Sequence, residues 1–493
     1  MSKSTSLGKE TVLLTFSKMA TLAISTLTGM MLSRFRSFEE YGTYSQLMLA
    51  ASLFTSIFML GLPNSINYFL ARANSRTEQQ KFLGTYYALS TILSVIMGMA
   101  LALAAPLIAG YFKNPAVLTF VYFLLLYPWT NVTSSSIENI LVVYHKTRFL
   151  TGYRIIHSLG LLGSVLAVQW LGFGFREYMV VNLGIHCLFA LTVYTIAYRT
   201  SGGFRPHLDK QLIRTIFAFS LPLGLSSVVG TLNIEIDKLL IGFLMDTKQM
   251  AIYTNASKEL PVSFVAASIT AVLLPQLTRL LKKNRSQEAV SLWANATELS
   301  YLVICLIVAG VFTYAEDVMT LLYSEKYLPG LPVFRVYTLV LLLRCTYFGI
   351  ILNAKGKTKD IFYASIASLT LNAVLNPLMY RTLGMVGPAL ATLLSIFVVQ
   401  QWQLFRTAKY TGVPYSQVFP YKRIAVITGI NAVLAGLFYG IKLALPLETW
   451  ITSLGESLLL GCIWCSVYLI LMRKSIKRAW NGLNQAGQDD ETA

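Results

Sequence analysis

The chain has 493 residues, 55% of them hydrophobic and 13% charged, a net charge of +18 and a mean hydropathy of +0.59. Soluble globular chains carry roughly 25% charged residues. The composition therefore excludes an ordinary soluble enzyme and predicts an all-α integral membrane protein.

Apolar segments long enough to cross a hydrocarbon core, about 20 residues each, recur along the whole chain, and we read about fourteen spans. The first half carries 11–33, 41–62, 82–104, 118–143, 155–172 and 178–198. The second continues with 215–245, 251–276, 292–314, 331–352, 361–380 and 385–405, and two more follow at 424–445 and 450–472. The connections are too short for a soluble catalytic domain. The first segment runs past 20 residues and carries Lys18, with no small-residue cleavage site before Arg34, so it reads as a retained span rather than a signal peptide.

An even number of spans puts both termini on one side. With the N-terminus cytoplasmic, 27 Lys and Arg fall in inside segments and 8 in outside ones, the other five lying within spans. This bias predicts cytoplasmic termini. Because the cations are dispersed over short loops, orientation and membrane lipid headgroups account for the net charge, and nucleic acid is not an expected partner.

Chemical motifs are absent. GKT at 356–358 lacks the earlier glycine of a phosphate-binding loop, position 351 being Ile351. The four histidines form no ligand cluster, and Cys462 and Cys465 have no second pair to complete a zinc site, so no metal, cofactor or catalytic residue is assigned. The five cysteines read as small packing residues.

A faint duplication relates EEYGTYSQ (39–46) and GLP (61–63) to KQMAIYTNA (248–256) and LLP (273–275), which suggests two parallel six-span repeats. We accordingly divide the chain into an N-terminal lobe at 1–200, a C-terminal lobe at 201–410, two additional spans at 411–473 and a polar cytoplasmic tail at 474–493.

Charges inside the spans carry the functional signal. TLNIEIDKLLIGFLM at 231–245 sets Glu235, Asp237 and Lys238 in an apolar helix. Glu235 and Lys238, three apart, share a face, and Asp237 points about 200° from Glu235. Lys18, Glu138, Lys258, Glu259, Glu298, Arg335 and Arg344 repeat the theme. A charge at the bilayer centre costs about 2.5–3.5 kcal/mol, so each must face another helix, as an ion pair, or a polar cavity. Mixed cations and carboxylates suit a ligand with phosphates and sugar hydroxyls.

SRFRSFEEYGTYSQ after the first span, GLPNSINYFLAR after the second, and FSLPLGLSSVVGTLNIEIDKLLIGFLM followed by AIYTNASKELP resemble the polysaccharide transport (O-antigen flippase) family of the multidrug/oligosaccharidyl-lipid/polysaccharide exporter superfamily. The resemblance implies two six-helix lobes around a central cleft, with two further helices at the C-terminus. It implies a non-enzymatic flippase of a bacterial cytoplasmic membrane that moves a polyprenyl-diphosphate-linked oligosaccharide by alternating access. Such a lipid carries an exopolysaccharide, capsule or O-antigen unit. H+ or Na+ would drive the cycle, and a polysaccharide polymerase and glycosyltransferases would be partners. On their span positions, Lys18, Lys238, Lys258 and Arg344 are candidates to contact the diphosphate, and Glu138, Glu235 and Asp237 to couple an ion. A lipid II or sporulation-type flippase and a cation-coupled multidrug antiporter remain as alternatives.

Overall fold

The computed structural model describes residues 2–59, 61–444 and 450–491. Among them the chain is helical throughout, with no strand. It divides into two compact units, Met1–Ala251 and Ile252–Ala493.

The first unit contains α1 (Ser2–Phe35), α2 (Phe38–Met59), α3 (Leu62–Arg72), α4 (Arg76–Tyr111), α5 (Val121–Val143), α6 (Thr147–Trp170), α7 (Phe175–Ser201) and α8 (Lys210–Leu244). Next comes α9 (Thr247–Ala256), across whose residues the division falls. The second unit continues with α10 (Phe264–Lys282), α11 (Ser286–Thr313), α12 (Ala315–Tyr323), α13 (Leu331–Leu343), α14 (Ile350–Ala354), α15 (Thr358–Leu383) and α16 (Val386–Thr411). It ends with α17 (Tyr415–Val418), α18 (Tyr421–Ala444) and α19 (Trp450–Glu491).

Among the described residues, twelve helices are long and apolar enough to cross a membrane, or thirteen if α2 and α3, bent by 44° at their junction, form one span. The chain is thus a multi-pass membrane protein. The expected first span, 11–33, lies within the 34 residues of α1, which is not among the twelve.

Two expected spans are interrupted. The span at 251–276 breaks at 257–260, between α9 and a short 3₁₀ turn at Pro261–Ser263 that leads into α10. The span at 331–352 breaks between α13 and α14, at 344–349. Pro261 opens the turn, as Pro63 opens α3, whereas Pro275 lies inside α10 and Pro222 inside α8.

The stretch that carries the resemblance has a structural logic. Ser37 and Glu40 form a capping box at the start of α2: the Glu40 carboxylate accepts from Ser37 N at 2.9 Å and Ser37 Oγ accepts from Glu40 N at 3.2 Å. A Cβ on Gly42 would sit 2.3 Å from the Thr247 carbonyl oxygen, so only glycine permits this approach. Beside it, buried Asn114 donates to Thr43 Oγ1 at 2.8 Å and to Gln46 Oε1 at 2.7 Å. Gly61 adopts φ +71°, the left-handed turn that ends α2 and starts α3, and packs against Ser220 and Gly224 of α8.

The connection between α7 and α8 is strapped to α4. Gln80 donates to the Ser201 and Gly202 carbonyls, the rings of Tyr87 and Phe204 stack at 5.4 Å, and Lys81 pairs with Asp209 at 2.6 Å. The Lys81 contact, with the Leu212 N–H, holds the Asp209 carboxyl at about 2. Its contribution to the strap is present at neutral pH and is lost only as pH falls toward that value.

In the second unit α11 is the hub. Its Trp293 packs with Phe348 and Phe419. Further along, Tyr301 and Cys305 join Phe438 of α18 and Trp464 of α19, whose rings stack at 5.6 Å. Cys305 and Cys345 are buried packing residues, as their apolar setting predicts.

Gly42→Ala should lower stability by about 1–3 kcal/mol through overpacking, read as a fall in melting temperature in detergent. Gly110→Ala, with open space around its Cα, should be neutral or stabilising. Equal melting temperatures for G42A and wild type would refute the close approach.

Candidate functional site

Charged groups inside the apolar helices occur as specific constellations. In the first unit, Lys18 of α1 pairs with Glu138 of α5 at 3.0 Å, and Arg154 of α6 binds the other Glu138 oxygen. One carboxylate thus joins three helices and is shared by two cations, leaving a net positive charge. Lys18 is half exposed, at 52%, while Arg154 is nearly covered. The sequence reading placed Arg154 in a connection because the apolar run starts after it. The structure places it inside α6, which begins at Thr147.

Next to Glu138, Asn139 donates to the Pro63 carbonyl at 2.8 Å and accepts from Asn67 at 3.0 Å. These bonds tie the start of α3 to α5. The result is a polar face built from α1, α3, α5 and α6.

On α8, Lys238 and Glu235 pair at 2.8 Å, each side chain about one-fifth exposed. Asp237 is buried at 1% and accepts from the Lys238 backbone N–H at 2.7 Å. The two faces expected from the spacing are both present: a paired one, and a buried carboxylate.

In the second unit, Arg344 pairs with Glu259 at 2.6 Å. Both residues sit in helix breaks: Arg344 caps the C-terminal end of α13, and Glu259 lies between α9 and the turn at Pro261. A guanidinium suits the negative end of the helix dipole. Gln400 of α16 donates to the Leu343 carbonyl at 2.6 Å, satisfying a backbone group that the break frees, and Thr346 Oγ1 within the break accepts from Trp293 at 2.9 Å. Lys258 is exposed in the same break as Glu259.

Sequence reasoning missed a buried neutral cluster. Asn372 of α15 meets Thr392 of α16, and Asn376 and Ser395 lie buried on the same two helices, all four at most 7% exposed. Asn372 donates to Thr392 Oγ1 at 3.3 Å. Asn372 Oδ1, both Asn376 amide atoms and Ser395 Oγ have no protein partner, and Pro377 removes the N–H that would bond the Ala373 carbonyl. Unsatisfied buried oxygens of this kind suit ordered water or a monovalent cation stripped of its shell. The repeated amide spacing, N-x-x-x-N before a proline, was the available signal. By contrast Glu298, fully buried, is bound by Arg423 and Arg478 as a structural ion pair. Among the described residues no group of three or more His, Cys, Asp or Glu side chains could hold a metal.

This arrangement of apolar helices, paired charges and broken spans can be compared with known proteins. Residues 31–332, more than half of the chain, match the family described as Polysaccharide biosynthesis protein. The chain belongs to that family. The resemblance read from the segments after the first and second spans thus holds.

Among its relatives is a Haloferax volcanii protein named a probable low-salt glycan biosynthesis flippase, Agl15, 23% identical over 57% of this chain and 60% of the relative. Another is the teichuronic acid biosynthesis protein TuaB of Bacillus subtilis, 22% identical over 60% of this chain and 61% of the relative. The match therefore spans about three-fifths of each of these relatives. In fold, the chain is similar to the lipid II flippase MurJ in an inward closed conformation. The TM-score is 0.74 at 15% identity, covering 94% of this chain and 99% of that one.

Within this family member the Glu259–Arg344 contact makes a direct test. In a double-mutant cycle of Glu259→Gln and Arg344→Gln, melting should return a coupling of roughly 0.5–3 kcal/mol. Strictly additive losses would show that the two breaks are held independently.

Proposed function

We propose that this protein is a flippase that carries a polyprenyl-diphosphate-linked oligosaccharide across a bacterial cytoplasmic membrane by alternating access. The lipid would bear an exopolysaccharide, capsule or O-antigen repeat unit. The observation that carries the reading is the set of ion pairs inside apolar helices of both units, above all Lys18–Glu138–Arg154, whose net positive charge and half-exposed lysine side chain suit a diphosphate. Membership of a polysaccharide biosynthesis family and the names of the relatives support the same substrate class.

Lys18, Lys238, Lys258 and Arg344 are proposed to contact the diphosphate and sugars. Glu138, Glu235 and Asp237 are proposed for ion coupling, with H+ or Na+ as the driving ion. The buried side-chain oxygens of Asn372 and Asn376, without protein donors, are proposed as neutral contacts for Na+. The protein is then a transporter and not an enzyme, with both termini cytoplasmic, working beside a polysaccharide polymerase and glycosyltransferases. The division at 1–200, 201–410, 411–473 and 474–493 is proposed on the same footing. The second reading, a lipid II-type flippase, is favoured by the fold neighbour that covers 94% of the chain. It needs the same diphosphate contacts.

Translocation of labelled polyprenyl-diphosphate oligosaccharide in proteoliposomes, scored by access to an external glycosidase, tests the proposal. Lys18→Gln should slow translocation about 10- to 100-fold, as expected for one lost charge-assisted contact, and Arg344→Gln likewise. No translocation by wild type, together with gradient-driven uptake of a cationic drug, would replace the proposal with the antiporter reading. Active lipid II transport without oligosaccharide transport would select the second reading.

Coupling is tested separately. Asn376→Leu should abolish stimulation of translocation by a Na+ gradient while leaving the uncoupled rate within about twofold, a change under 0.5 kcal/mol. Unchanged Na+ stimulation would remove the cluster from coupling.

A further inference from the structure

Helix α19 has 42 residues, about 63 Å at 1.5 Å each, twice the roughly 30 Å of a hydrocarbon core. Its inward side is marked by buried Trp464, Tyr468, Met472 and Ala479. Its outward side carries exposed Leu469, Ile470 and Leu471, and continues without a break into exposed Arg473, Lys474, Lys477 and Arg478. At about 100° per residue, Lys474 and Lys477 lie opposite Met472 and Ala479, while Arg473 and Arg478 flank that buried side. Trp480, 57% exposed, follows within a turn. Lipid-facing leucines, then cations, then an exposed tryptophan is the order of groups across a membrane surface.

Two of the neighbouring cations are held in place. Glu298 of α11, with no exposed surface, accepts from Arg423 of α18 at 2.8 Å and from Arg478 of α19. Asn295 accepts from the same Arg423 nitrogen at 2.9 Å. The two guanidinium groups are therefore fixed side by side on one buried carboxylate, on side chains that are 40% and 54% exposed. Lys422 precedes Arg423 and is exposed. One carboxylate among these cations leaves the surface strongly positive.

We propose that Arg423 and Arg478, oriented by Glu298 and flanked by Lys474 and Lys477, bind the phosphodiester headgroup of an anionic phospholipid. The acyl chains lie along Leu469–Leu471 of α19. Charge complementarity and the direct passage from lipid-facing to cationic surface commit the site to a lipid rather than a soluble anion. A guanidinium pair matches the phosphate geometry. The site is separate from the Lys18–Glu138–Arg154 constellation and does not depend on the transported substrate.

Native mass spectrometry of the full chain with phosphatidylglycerol and phosphatidylcholine of identical acyl chains tests it. Wild type should retain phosphatidylglycerol preferentially. Each cation near an anionic headgroup is worth about 1 kcal/mol, about fivefold, so Lys474→Gln/Lys477→Gln should cut the preference roughly 25-fold. The triple variant Glu298→Gln/Arg423→Gln/Arg478→Gln, which leaves no unpaired buried charge, should also lose it with phosphatidylcholine retention unchanged. Equal retention of the two lipids by wild type, or an undiminished preference in both variants, would overturn the proposal. So would displacement of phosphatidylglycerol by excess inorganic phosphate, which would make the site one for free anions.

Discussion

A charge carried into hydrocarbon must be compensated by another part of the protein, and much of this structure follows from that constraint. Association of helices in lipid gains nothing from expelling apolar surface, so polar contacts and close packing decide which helices meet. Here single carboxylates act as nodes. Glu138 joins α1, α5 and α6; Glu298 joins α11, α18 and α19. Each node holds two cations, so the cost of burying one acid is offset by fixing three helices. The nodes differ in exposure: Glu298 is sealed, while Glu138 is about one-third exposed and its partner Lys18 half exposed. A sealed carboxylate can only hold its partners in place. An open one can exchange a partner for a ligand, which is why the proposed substrate contacts lie at Lys18 and not at Glu298.

The helix breaks obey the same constraint applied to backbone. Peptide groups freed inside an apolar segment must find partners in the protein or in a water-filled space. Gln400 supplies one for the Leu343 carbonyl at the end of α13, and Asn139 adds a side-chain donor to the Pro63 carbonyl in the first turn of α3. In each unit an amide from a neighbouring helix thus binds backbone beside a break that lies close to an ion pair. Breaks and charges coincide because a polar environment, once built, serves both. Discontinuous helices in transporters commonly mark the binding region for this reason.

Hydropathy made the membrane class and most spans legible, since each apolar run stands out against its flanks. It also located Lys18, Glu138, Glu235, Asp237, Lys238, Lys258 and Arg344 as charges within runs. Their partners were harder to see. Lys18 and Glu138 are 120 residues apart, and no local spacing links them. Arg154 was assigned to a loop because an apolar run is bounded by its last charge, whereas α6 starts a full two turns earlier. The interruptions at 257–260 and 344–349 vanish in a window average that leucine and valine dominate. Asn372 and Asn376 carry no charge and drew no notice, yet burial leaves them with unmet hydrogen-bonding capacity. Glycine at position 42 was visible as part of a motif, but its reason, the Thr247 carbonyl, lies 205 residues away.

The two C-terminal helices show what paired charges do away from the proposed substrate contacts. At one end α18 and α19 are held by Glu298 through Arg423 and Arg478. At the other, Asp317 of α12 binds Lys442 and accepts from Ser453 at 2.8 Å and Ser457 at 2.6 Å. Between these acids lie the Phe438–Trp464 stack and the bond from Tyr468 Oη to the Leu302 carbonyl at 2.9 Å. Glu298 and Asp317 lie on successive helices, α11 and α12, which part at Tyr314, so apolar packing is enclosed between two charged clamps. The helix pair is thus held to α11 through Glu298 and to α12 through Asp317.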